Sequence, residues 1–304
     1  MDAAPRVLAV DGGQSAIRVK HSGGVGAVVP GVSWGGPDTV PATAASIVDA
    51  WRAAGSPLVD TAVLGLTTVP SDRADCARLA GLVGDAIGAE RVVVCDDGIT
   101  AHAGALGGGS GIVLSVGTGV ACAVRGPKDA ETRLLGGHGY LLGDEGGAFW
   151  LGRAGLAAAL RAADGRGHAT TLVGAAESRF GAVPGIPIRL HSSQRAVDEI
   201  AHFAPDVLTA ADAGDTVAAG IVDNGVDELA VLLRTARGGA DADAPTPLVV
   251  LGRLGAELAP RIVDRLSAEP GAFQPLEPLG DALDGAFLLA RTAAETHLPV
   301  WTRG

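Results

Sequence analysis

The sequence predicts an α/β protein of two domains, and three observations support this prediction. The chain has 304 residues, which is enough for two domains of ordinary size, each with its own hydrophobic core. Short apolar segments typical of strands alternate with amphipathic segments typical of helices. The alternation runs to about residue 106 and then begins again near residue 110, which predicts a second domain similar to the first.

The first half of the chain predicts a mixed sheet with helices on its faces. Three short strands separated by glycine turns come first, and two strand-helix units follow. The predicted strands are residues 6–10, 16–20, 25–29, 61–68 and 91–95, and the predicted helices are residues 43–55, about 72–87, and from Asp97 onward. A three-strand meander followed by two helical crossovers places parallel strands beside antiparallel ones.

The second half predicts two strands around a glycine turn within residues 110–124 and a buried strand over residues 248–252. The helix that follows the buried strand places Leu258, Ile262 and Leu266 on one face. This half therefore also predicts strands that are covered by helices.

Three further segments of the second half are less regular. Residues 164–192 contain scattered Gly, Pro and Arg, and we expect the least structure there. Residues 213–220 open a longer helix. Residues 240–247 form a loop that leads into the last strand.

Composition and charge exclude several classes of function. The formal net charge is −11, whereas a protein that binds nucleic acid or an anionic membrane needs a basic face. The sequence has no uninterrupted apolar run of 18 residues and no signal-like N-terminal pattern. We therefore expect a cytoplasmic protein with neither nucleic acid nor membrane as a partner.

Cys76, Cys95 and Cys122 are widely spaced in apolar runs, which predicts buried thiols.

The first candidate ligand site is the glycine turn VDGGQS, which contains Asp11, Gly12, Gly13, Gln14 and Ser15. The glycines allow a sharp turn with N–H groups facing an anion, and the serine hydroxyl adds a donor. The aspartate at the strand end is placed to hold Mg²⁺ through water. A plain hairpin turn is the alternative interpretation, because Gly-Gly between two strands is typical of one.

A second glycine turn, formed by Gly117, Thr118 and Gly119, has the same character. It also follows an apolar strand, and it comes early in the second half of the chain. Each turn alone is a weak signal, but the pair is stronger because the two occupy matching places in the repeated pattern. We expect a phosphate group between them.

Asp97 stands where the strand VVVCD meets the next helix. Open α/β sheets hold ligands at the carboxyl ends of their strands, so Asp97 is a candidate general base. The alternative is that its carboxylate caps the helix. Asp96 competes for these roles, and the sequence alone leaves both interpretations open.

The most unusual segment, residues 136–155, places many glycines around Asp144, Glu145 and His138. Close approach of the backbone to a ligand explains so many glycines beside two acids. His138 taken alone is more typical of a surface or core histidine, and no second histidine lies at metal-ligand spacing. We expect no structural zinc.

Gly252 ends the strand at residues 248–252, and a helix begins directly after it. An ordinary strand-turn-helix unit is one interpretation of this segment. The other is that the helix N-terminus beside Gly252 accepts the ribose or a phosphate of a nucleotide.

These segments, in this order, resemble the BadF/BadG/BcrA/BcrD ATPase family, and in particular its N-acetylglucosamine kinase branch. The resemblance covers nearly the whole chain and includes both glycine turns. The most specific piece is GDEGGAFWLG at residues 143–152. Residues 210–222 and 283–290 are also similar to helices of the family.

The resemblance implies two ribonuclease-H-like domains of the actin-like ATPase type with a central cleft. Residues 1–106 with about 283–304 would form the first domain, and residues 107–282 would form the second. The cleft would hold ATP with Mg²⁺, and an amino sugar would bind near the hinge. Relatives of this kind are commonly homodimers, so we expect a homodimer here.

The resemblance also implies roles for individual residues. Asp97 would take the proton from the 6-hydroxyl of the sugar while the γ-phosphoryl group is transferred, and Asp144 would bind sugar hydroxyls. We place Gly137, His138 and Glu145 in the same sugar site. The expected nucleotide-binding residues are Asp11, Gly12, Gly13, Gln14, Ser15, Gly117, Thr118, Gly119 and Gly252, with Asp11 as the Mg²⁺ residue.

Two other functions are compatible with the same fold. One is an ATPase that activates a dehydratase or reductase, which requires cysteines that ligate an iron–sulfur cluster at a dimer interface. The position of the three cysteines in core segments disfavours it. The other is a sugar sensor that has lost catalysis, which the departures from the family pattern at Gln14, Val120 and His138 favour.

Overall fold

The computed structural model describes residues 5–13, 16–31, 39–127, 131–238, 244–267, 272–291 and 300–303. The chain forms two compact units. The first unit comprises residues 1–113, 123–133 and 276–304, and the second comprises residues 114–122 and 134–275.

The described residues form strands and helices in the order that the first half of the sequence predicts, βββαβαβα. The first elements are β1 (Val7–Gly12), β2 (Ala16–His21), β3 (Gly26–Pro30), α1 (Thr39–Ala53), β4 (Thr61–Leu66), α2 (Arg73–Ile87), β5 (Arg91–Asp96) and α3 (Asp97–Ala105). Those that follow are β6 (Gly111–Val116), β7 (Val120–Arg125), β8 (Arg133–Gly136), α4 (Ala148–Ala163), α5 (Leu172–Phe180), α6 (Ile186–His191), α7 (Ala196–Ala201), α8 (Ala204–Asp212), α9 (Thr216–Arg237), β9 (Thr246–Leu251), α10 (Arg253–Leu266), β10 (Phe273–Pro275), α11 (Ala282–Arg291) and β11 (Val300–Arg303).

The first unit is built on a mixed sheet in the order β11-β5-β4-β1-β2-β3. The central strands β1, β4 and β5 run parallel. The strands β2 and β3 continue the sheet as an antiparallel meander, and β11 runs antiparallel to β5 at the other edge. The predicted mixed sheet is therefore confirmed.

The strand β1 contributes side chains to two hydrophobic cores, one on each face of this sheet. Leu8 and Val10 belong to the core that includes α1 and α2. Val7 and Ala9 belong to the core on the opposite face, which includes α3 and α11. Because side chains alternate across a strand, a strand that is apolar at every position can bury both faces.

The second sheet has the order β10-β9-β6-β7-β8, and the longest helix of the second unit is α9. One carboxylate, that of Asp215, fixes the start of this helix by accepting bonds from the N–H groups of Val217 and Ala218. The same carboxylate accepts bonds from the hydroxyls of Thr170 and Thr171. These bonds tie the start of α9 to the segment before α5.

Two expectations for the second half are wrong. Residues 164–192, where we expect the least structure, contain α5, a 3₁₀ turn at Val183–Gly185 and α6. Gly181 ends α5 and Pro187 lies in the first turn of α6, so these residues mark helix ends rather than irregular chain. The strand near residues 248–252 is also not the last one, because β10 and β11 follow it.

Two further features bear on function. The cysteines Cys76, Cys95 and Cys122 are buried free thiols, which confirms that prediction. Burial raises the pKa of the Cys95 thiol well above its ordinary range, so this thiol is unreactive. Within the described ranges, no helix is both long enough and apolar enough to cross a membrane.

Candidate active site

The carboxyl ends of three parallel strands lie next to each other at one edge of the sheet of the first unit. Gly12 at the end of β1 pairs in register with Leu66 at the end of β4, and Leu66 pairs with Asp96 at the end of β5. Thr67 and Asp97 each come directly after their strands, so they are neighbours at this edge. This is the edge at which open α/β sheets hold ligands.

Asp97 is bonded to Thr67 through its side chain. Thr67 Oγ1 donates to Asp97 Oδ2 at 2.5 Å. The alternative in which Asp97 caps α3 is wrong, because Asp96 is the cap and its Oδ1 accepts from the N–H of Gly98 at 2.8 Å. The strand β5 extends through Asp96, so Asp97 is already the first helical residue and its carboxylate is left for another role.

Burial, nearby charges and hydrogen bonds set the pKa values of these two adjacent carboxyls. Burial raises the pKa of Asp97, the hydrogen bond from Thr67 lowers it, and the neighbouring charge of Asp11 raises it. Burial also raises the pKa of Asp96, and the charge of Asp97 raises it further. A carboxylate whose pKa is raised takes up a proton more readily than an ordinary aspartate, which suits a general base.

Asp11 lies at the same edge and is paired with an arginine. It faces Arg18 across the β1–β2 ladder, and both Nε and Nη2 of Arg18 donate to Asp11 Oδ2, Nε at 2.7 Å. The Asp11 side chain is 17% exposed. Because both bonds end on one oxygen, the other oxygen, Oδ1, is placed to accept bonds from a ligand or from water.

The first glycine turn is a hairpin turn between β1 and β2. The N–H of Gly13 donates to the carbonyl of Ala16 at 2.9 Å and closes the turn. The hairpin interpretation is therefore confirmed, and the N–H of Gly13 is engaged in the turn rather than directed at an anion as we expected. The predicted donors Gln14 and Ser15 lie outside the described residues.

The second glycine turn joins β6 to β7 and is anchored to the start of α4. The N–H of Gly117 donates to the carbonyl of Gly119 at 2.9 Å. The carbonyls of Gly117 and Thr118 accept bonds from the N–H groups of Ala148 and Phe149, at 2.9 and 3.1 Å. These bonds fix the turn to the segment that carries the DEGG sequence.

Asp144 lies beside the second glycine turn. Its carboxylate lies against Gly119, where any Cβ would collide with it, so only glycine fits at that position. Burial raises the pKa of Asp144, while bonds from the N–H groups of Val120 and Gly139 lower it. The backbone of Asp144 has φ 62, a left-handed conformation that costs energy for a residue other than glycine. A buried acid thus holds the turn through main-chain bonds.

The other predicted sugar-site residues surround Asp144 but differ in exposure. The N–H of Gly137 donates to the carbonyl of Val120 at 2.9 Å, which places it beside the turn. The side chains of His138 and Glu145 are exposed. These two side chains are accessible to a ligand, whereas that of Asp144 is only 9% exposed.

Gly252 also lies at this turn. It has φ 89 and stands directly before α10, and a Cβ here would collide with the carbonyl of Val116 at the end of β6. The start of α10 is therefore next to the second glycine turn. The structure brings together in the second unit Gly117, Thr118, Gly119, Gly137, Asp144 and Gly252.

Sequence reasoning missed two residues of the first unit's site. Thr67 falls inside the predicted strand at residues 61–68, whereas β4 ends at Leu66. The available signal was that β4 and β5 are consecutive strands joined by one helix and that a polar residue follows each of them. Arg18 was the second omission, and its position opposite Asp11 follows from the hairpin that the sequence offered as an alternative.

The two sheets and the order of their elements define the fold of actin-like ATPases and sugar kinases. A candidate N-acetylglucosamine kinase from Chromobacterium violaceum superposes with a TM-score of 0.72 at 24% identity, over 94% of this chain and 99% of that chain. A second candidate N-acetylglucosamine kinase, from Porphyromonas gingivalis, gives a TM-score of 0.71 at 17% identity, over 93% and 98%. These similarities show the fold.

The family follows from the sequence comparison. The model of the BadF/BadG/BcrA/BcrD ATPase family matches residues 10–251, so the chain belongs to this family, as its motifs predict. The N-acetylmuramic acid/N-acetylglucosamine kinase of Clostridium acetobutylicum is 31% identical over 127 residues. That alignment spans 40% of this chain and 39% of the relative.

Proposed function

We propose that this protein is an ATP-dependent kinase that phosphorylates the 6-hydroxyl group of an amino sugar, with Asp97 as the general base. The observation that carries the proposal is the position of Asp97. Its carboxylate lies at the carboxyl ends of the parallel strands, where open α/β sheets hold ligands. Thr67 Oγ1 donates to it at 2.5 Å, and Asp96 rather than Asp97 caps α3. Family membership and the names of the relatives support ATP and an amino sugar as the substrates.

The proposed role of Asp97 is to accept the proton of the acceptor hydroxyl as the oxygen attacks the γ-phosphorus. Phosphoryl transfer requires mainly that the reactants are positioned and that developing charge is neutralised, so one well-placed carboxylate is sufficient on the acceptor side. The raised pKa of Asp97 brings its proton affinity closer to the pH at which the enzyme works. Asp96, as the helix cap, holds the main chain of Asp97 in place.

The proposed nucleotide-binding residues lie on both glycine turns. In the first turn they are Asp11 to Ser15, with the donors coming from residues other than Gly13, whose N–H closes the hairpin. In the second turn they are Gly117, Thr118 and Gly119, joined by Gly252 at the start of α10. Glycine turns of this kind present main-chain N–H groups to phosphate oxygens.

The carboxylate of Asp11 also fits a magnesium ion. Mg²⁺ in nucleotide sites is held by one or two carboxylates, by waters and by phosphate oxygens. Asp11 offers Oδ1, because the bonds from Arg18 both end on Oδ2. Bound with the nucleotide, the ion would neutralise charge on the phosphates. We therefore propose Asp11 as the residue that holds Mg²⁺ through water.

The proposed sugar site is formed by Asp144 and its neighbours. Asp144 would accept bonds from sugar hydroxyls, and Gly137, His138 and Glu145 surround it. The relatives are named for N-acetylglucosamine and N-acetylmuramic acid, which makes a hexosamine the proposed class of substrate. A catalytically inactive sugar sensor is the second candidate, since the chain departs from the family pattern at His138 and Val120.

The buried cysteines disfavour an activator of a dehydratase or reductase. That role needs thiolates that reach a cluster at a dimer interface, whereas Cys76, Cys95 and Cys122 are buried and the Cys95 thiol has a raised pKa.

We further propose a cytoplasmic homodimer, as the sequence analysis predicts. Light scattering of the purified protein tests the dimer.

The test of the proposed function is ADP release with Mg²⁺ and a panel of sugars. The panel includes N-acetylglucosamine, glucosamine, N-acetylmannosamine, N-acetylmuramic acid and glucose. We expect ADP release that depends on a hexosamine, with phosphorus NMR locating the phosphate on the 6-oxygen. ATP hydrolysis that is independent of sugar would contradict a kinase, and sugar binding without ADP release would establish the sensor.

A further inference from the structure

We propose that Thr67 is a positioning residue for the Asp97 carboxylate. Its hydroxyl holds Asp97 Oδ2, so that Oδ1 is the oxygen presented to the acceptor hydroxyl. This inference rests on the proposed function, because it assigns a second residue to the same site. Thr67 does not itself exchange a proton with substrate in this scheme; it acts through Asp97.

The backbone of Thr67 is fixed by the sheet. Thr67 directly follows β4, and its N–H donates to the carbonyl of Gly12 at the end of β1, at 3.0 Å. The neighbouring pair Leu66 and Asp96 is in register between β4 and β5. The hydroxyl of Thr67 is therefore directed toward Asp97 by two strand ends rather than by a free loop.

The backbone of Asp97 is fixed as well. The carboxylate of Asp96 caps α3, and the hydroxyl of Thr100 donates to the Asp97 carbonyl at 2.9 Å. With the main chain held on both sides, the side chain of Asp97 keeps only its own two torsions. The bond from Thr67 Oγ1 restricts both, because it fixes one carboxylate oxygen at 2.5 Å.

The same bond favours the ionised form of Asp97. A hydroxyl that donates to a carboxylate stabilises the negative charge. Hydrogen bonds from Asp96 and Gly98 lower the pKa of Asp97 as well, whereas burial and the charge of Asp11 raise it. The positive charge nearest on β2, that of Arg18, is paired with Asp11 through two hydrogen bonds and lies 3.9 Å from Asp281. Thr67 is therefore a neutral group that both orients the base and helps to keep it ready to accept a proton.

A purely structural role explains these contacts less well. The side chain of Thr67 is exposed, so it contributes little to either hydrophobic core. Its backbone bond to Gly12 does not depend on the hydroxyl. Replacing the hydroxyl by a methyl group of similar size therefore changes mainly the bond to Asp97.

The kinetic test compares Thr67→Val, Thr67→Ser and the matched control Thr68→Val in the full-length protein. Thr68 undergoes the same chemical change one position further along the chain. We expect Thr67→Val to lower kcat about tenfold, the effect of losing one hydrogen bond to a charged group, and to leave the sugar KM within about twofold. The acid limb of its pH profile should move to higher pH. Thr67→Ser should restore both properties, and Thr68→Val should behave as the wild type.

A second measurement does not depend on catalysis. Carbon-13 NMR of aspartate side-chain carboxyls follows the titration of Asp97, whose signal is assigned by its absence in Asp97→Asn. We expect a higher titration midpoint for Asp97 in Thr67→Val than in the wild type, and a restored midpoint in Thr67→Ser. An unchanged midpoint together with an unchanged kcat in Thr67→Val would overturn the inference. If the wild type phosphorylates no sugar, the proposed function fails, while the NMR titration still decides the role of Thr67.

Discussion

Asp97 in the first unit and Asp144 in the second unit both carry carboxylates beside a glycine turn or strand end, but they are held in different ways. Asp97 is bonded by a side-chain hydroxyl, that of Thr67, and its backbone is an ordinary helical start. Asp144 accepts bonds from main-chain N–H groups, is 9% exposed, and has a left-handed backbone. The first arrangement leaves an oxygen for chemistry, whereas the second fixes the shape of a turn.

The difference separates two roles of an acidic side chain: one carboxylate is available for reaction, and the other stabilises the local backbone. Removing a carboxylate that is held by one hydroxyl should change reactivity and leave the fold intact. Removing a buried carboxylate that satisfies two main-chain donors should leave those donors unpaired and loosen the turn. The following predictions test this contrast, beginning with the largest expected effect.

Asp97→Asn should abolish most phosphoryl transfer. The amide keeps the shape of the side chain but cannot accept the proton, so we expect kcat to fall by about 10² to 10⁴, with sugar affinity unchanged within a few-fold. Steady-state kinetics and calorimetric titration of the sugar measure these two quantities. The melting temperature should stay near that of the wild type.

The matched control for this variant is Asp96→Asn. Asparagine also caps helices well, so α3 should remain intact and kcat should stay within about tenfold of the wild type. A larger loss in Asp96→Asn than in Asp97→Asn would exchange the roles assigned to the two acids.

Asp144→Ala should destabilise the second unit and weaken sugar binding. The change leaves the N–H groups of Val120 and Gly139 without their acceptor, which should lower the free energy of unfolding by about 1–3 kcal/mol. The apparent KM of the sugar should rise much more than that of ATP. Urea denaturation and steady-state kinetics measure both effects.

Glu145→Ala is the control for Asp144→Ala, because Glu145 is the adjacent acid and is exposed. Its unfolding free energy should stay close to that of the wild type. If Asp144→Ala is as stable as this control, the main-chain bonds of Asp144 do not hold the turn, and the contrast between the two acids fails.

Gly119→Ala should perturb the second turn by a smaller amount. The added Cβ would collide with the Asp144 carboxylate, whereas a Cβ at Gly117 would meet nothing within 4 Å. We expect Gly119→Ala to lower the free energy of unfolding by about 1–2 kcal/mol through overpacking, and Gly117→Ala to change it little. Equal unfolding midpoints for the two variants in urea would contradict the close approach of Asp144 to Gly119.

The fold could be predicted from the sequence because its cause is local. Apolar strands with turn glycines and amphipathic helices follow the order of the first half, and the sequence places strands β1, β4 and β5 within one or two residues of their observed ends. Residues 164–192 were one exception, since short helices bounded by Gly181 and Pro187 resemble loops in composition. The strands β10 and β11 were another, because they follow the strand that was expected to be the last.

The site could be predicted only in part, because its decisive contacts join residues that are far apart in the chain. Asp97 was found from its place at a strand end, but the choice between cap and base depended on whether β5 ends before or after Asp96. The bond from Thr67 spans 30 positions, and no local pattern reveals it. The close approach of the Asp144 carboxylate to Gly119 likewise depends on the tertiary fold.

The most direct test of the central claim is the pH dependence of kcat/KM for the sugar. The claim requires Asp97 to be ionised in the free enzyme, and burial raises its pKa above 3.8, the ordinary value for aspartate. We therefore predict an acid limb with a midpoint above 3.8 in the wild type, and no such limb in the residual activity of Asp97→Asn. An acid limb of the same midpoint in Asp97→Asn would contradict the assignment of Asp97 as the general base.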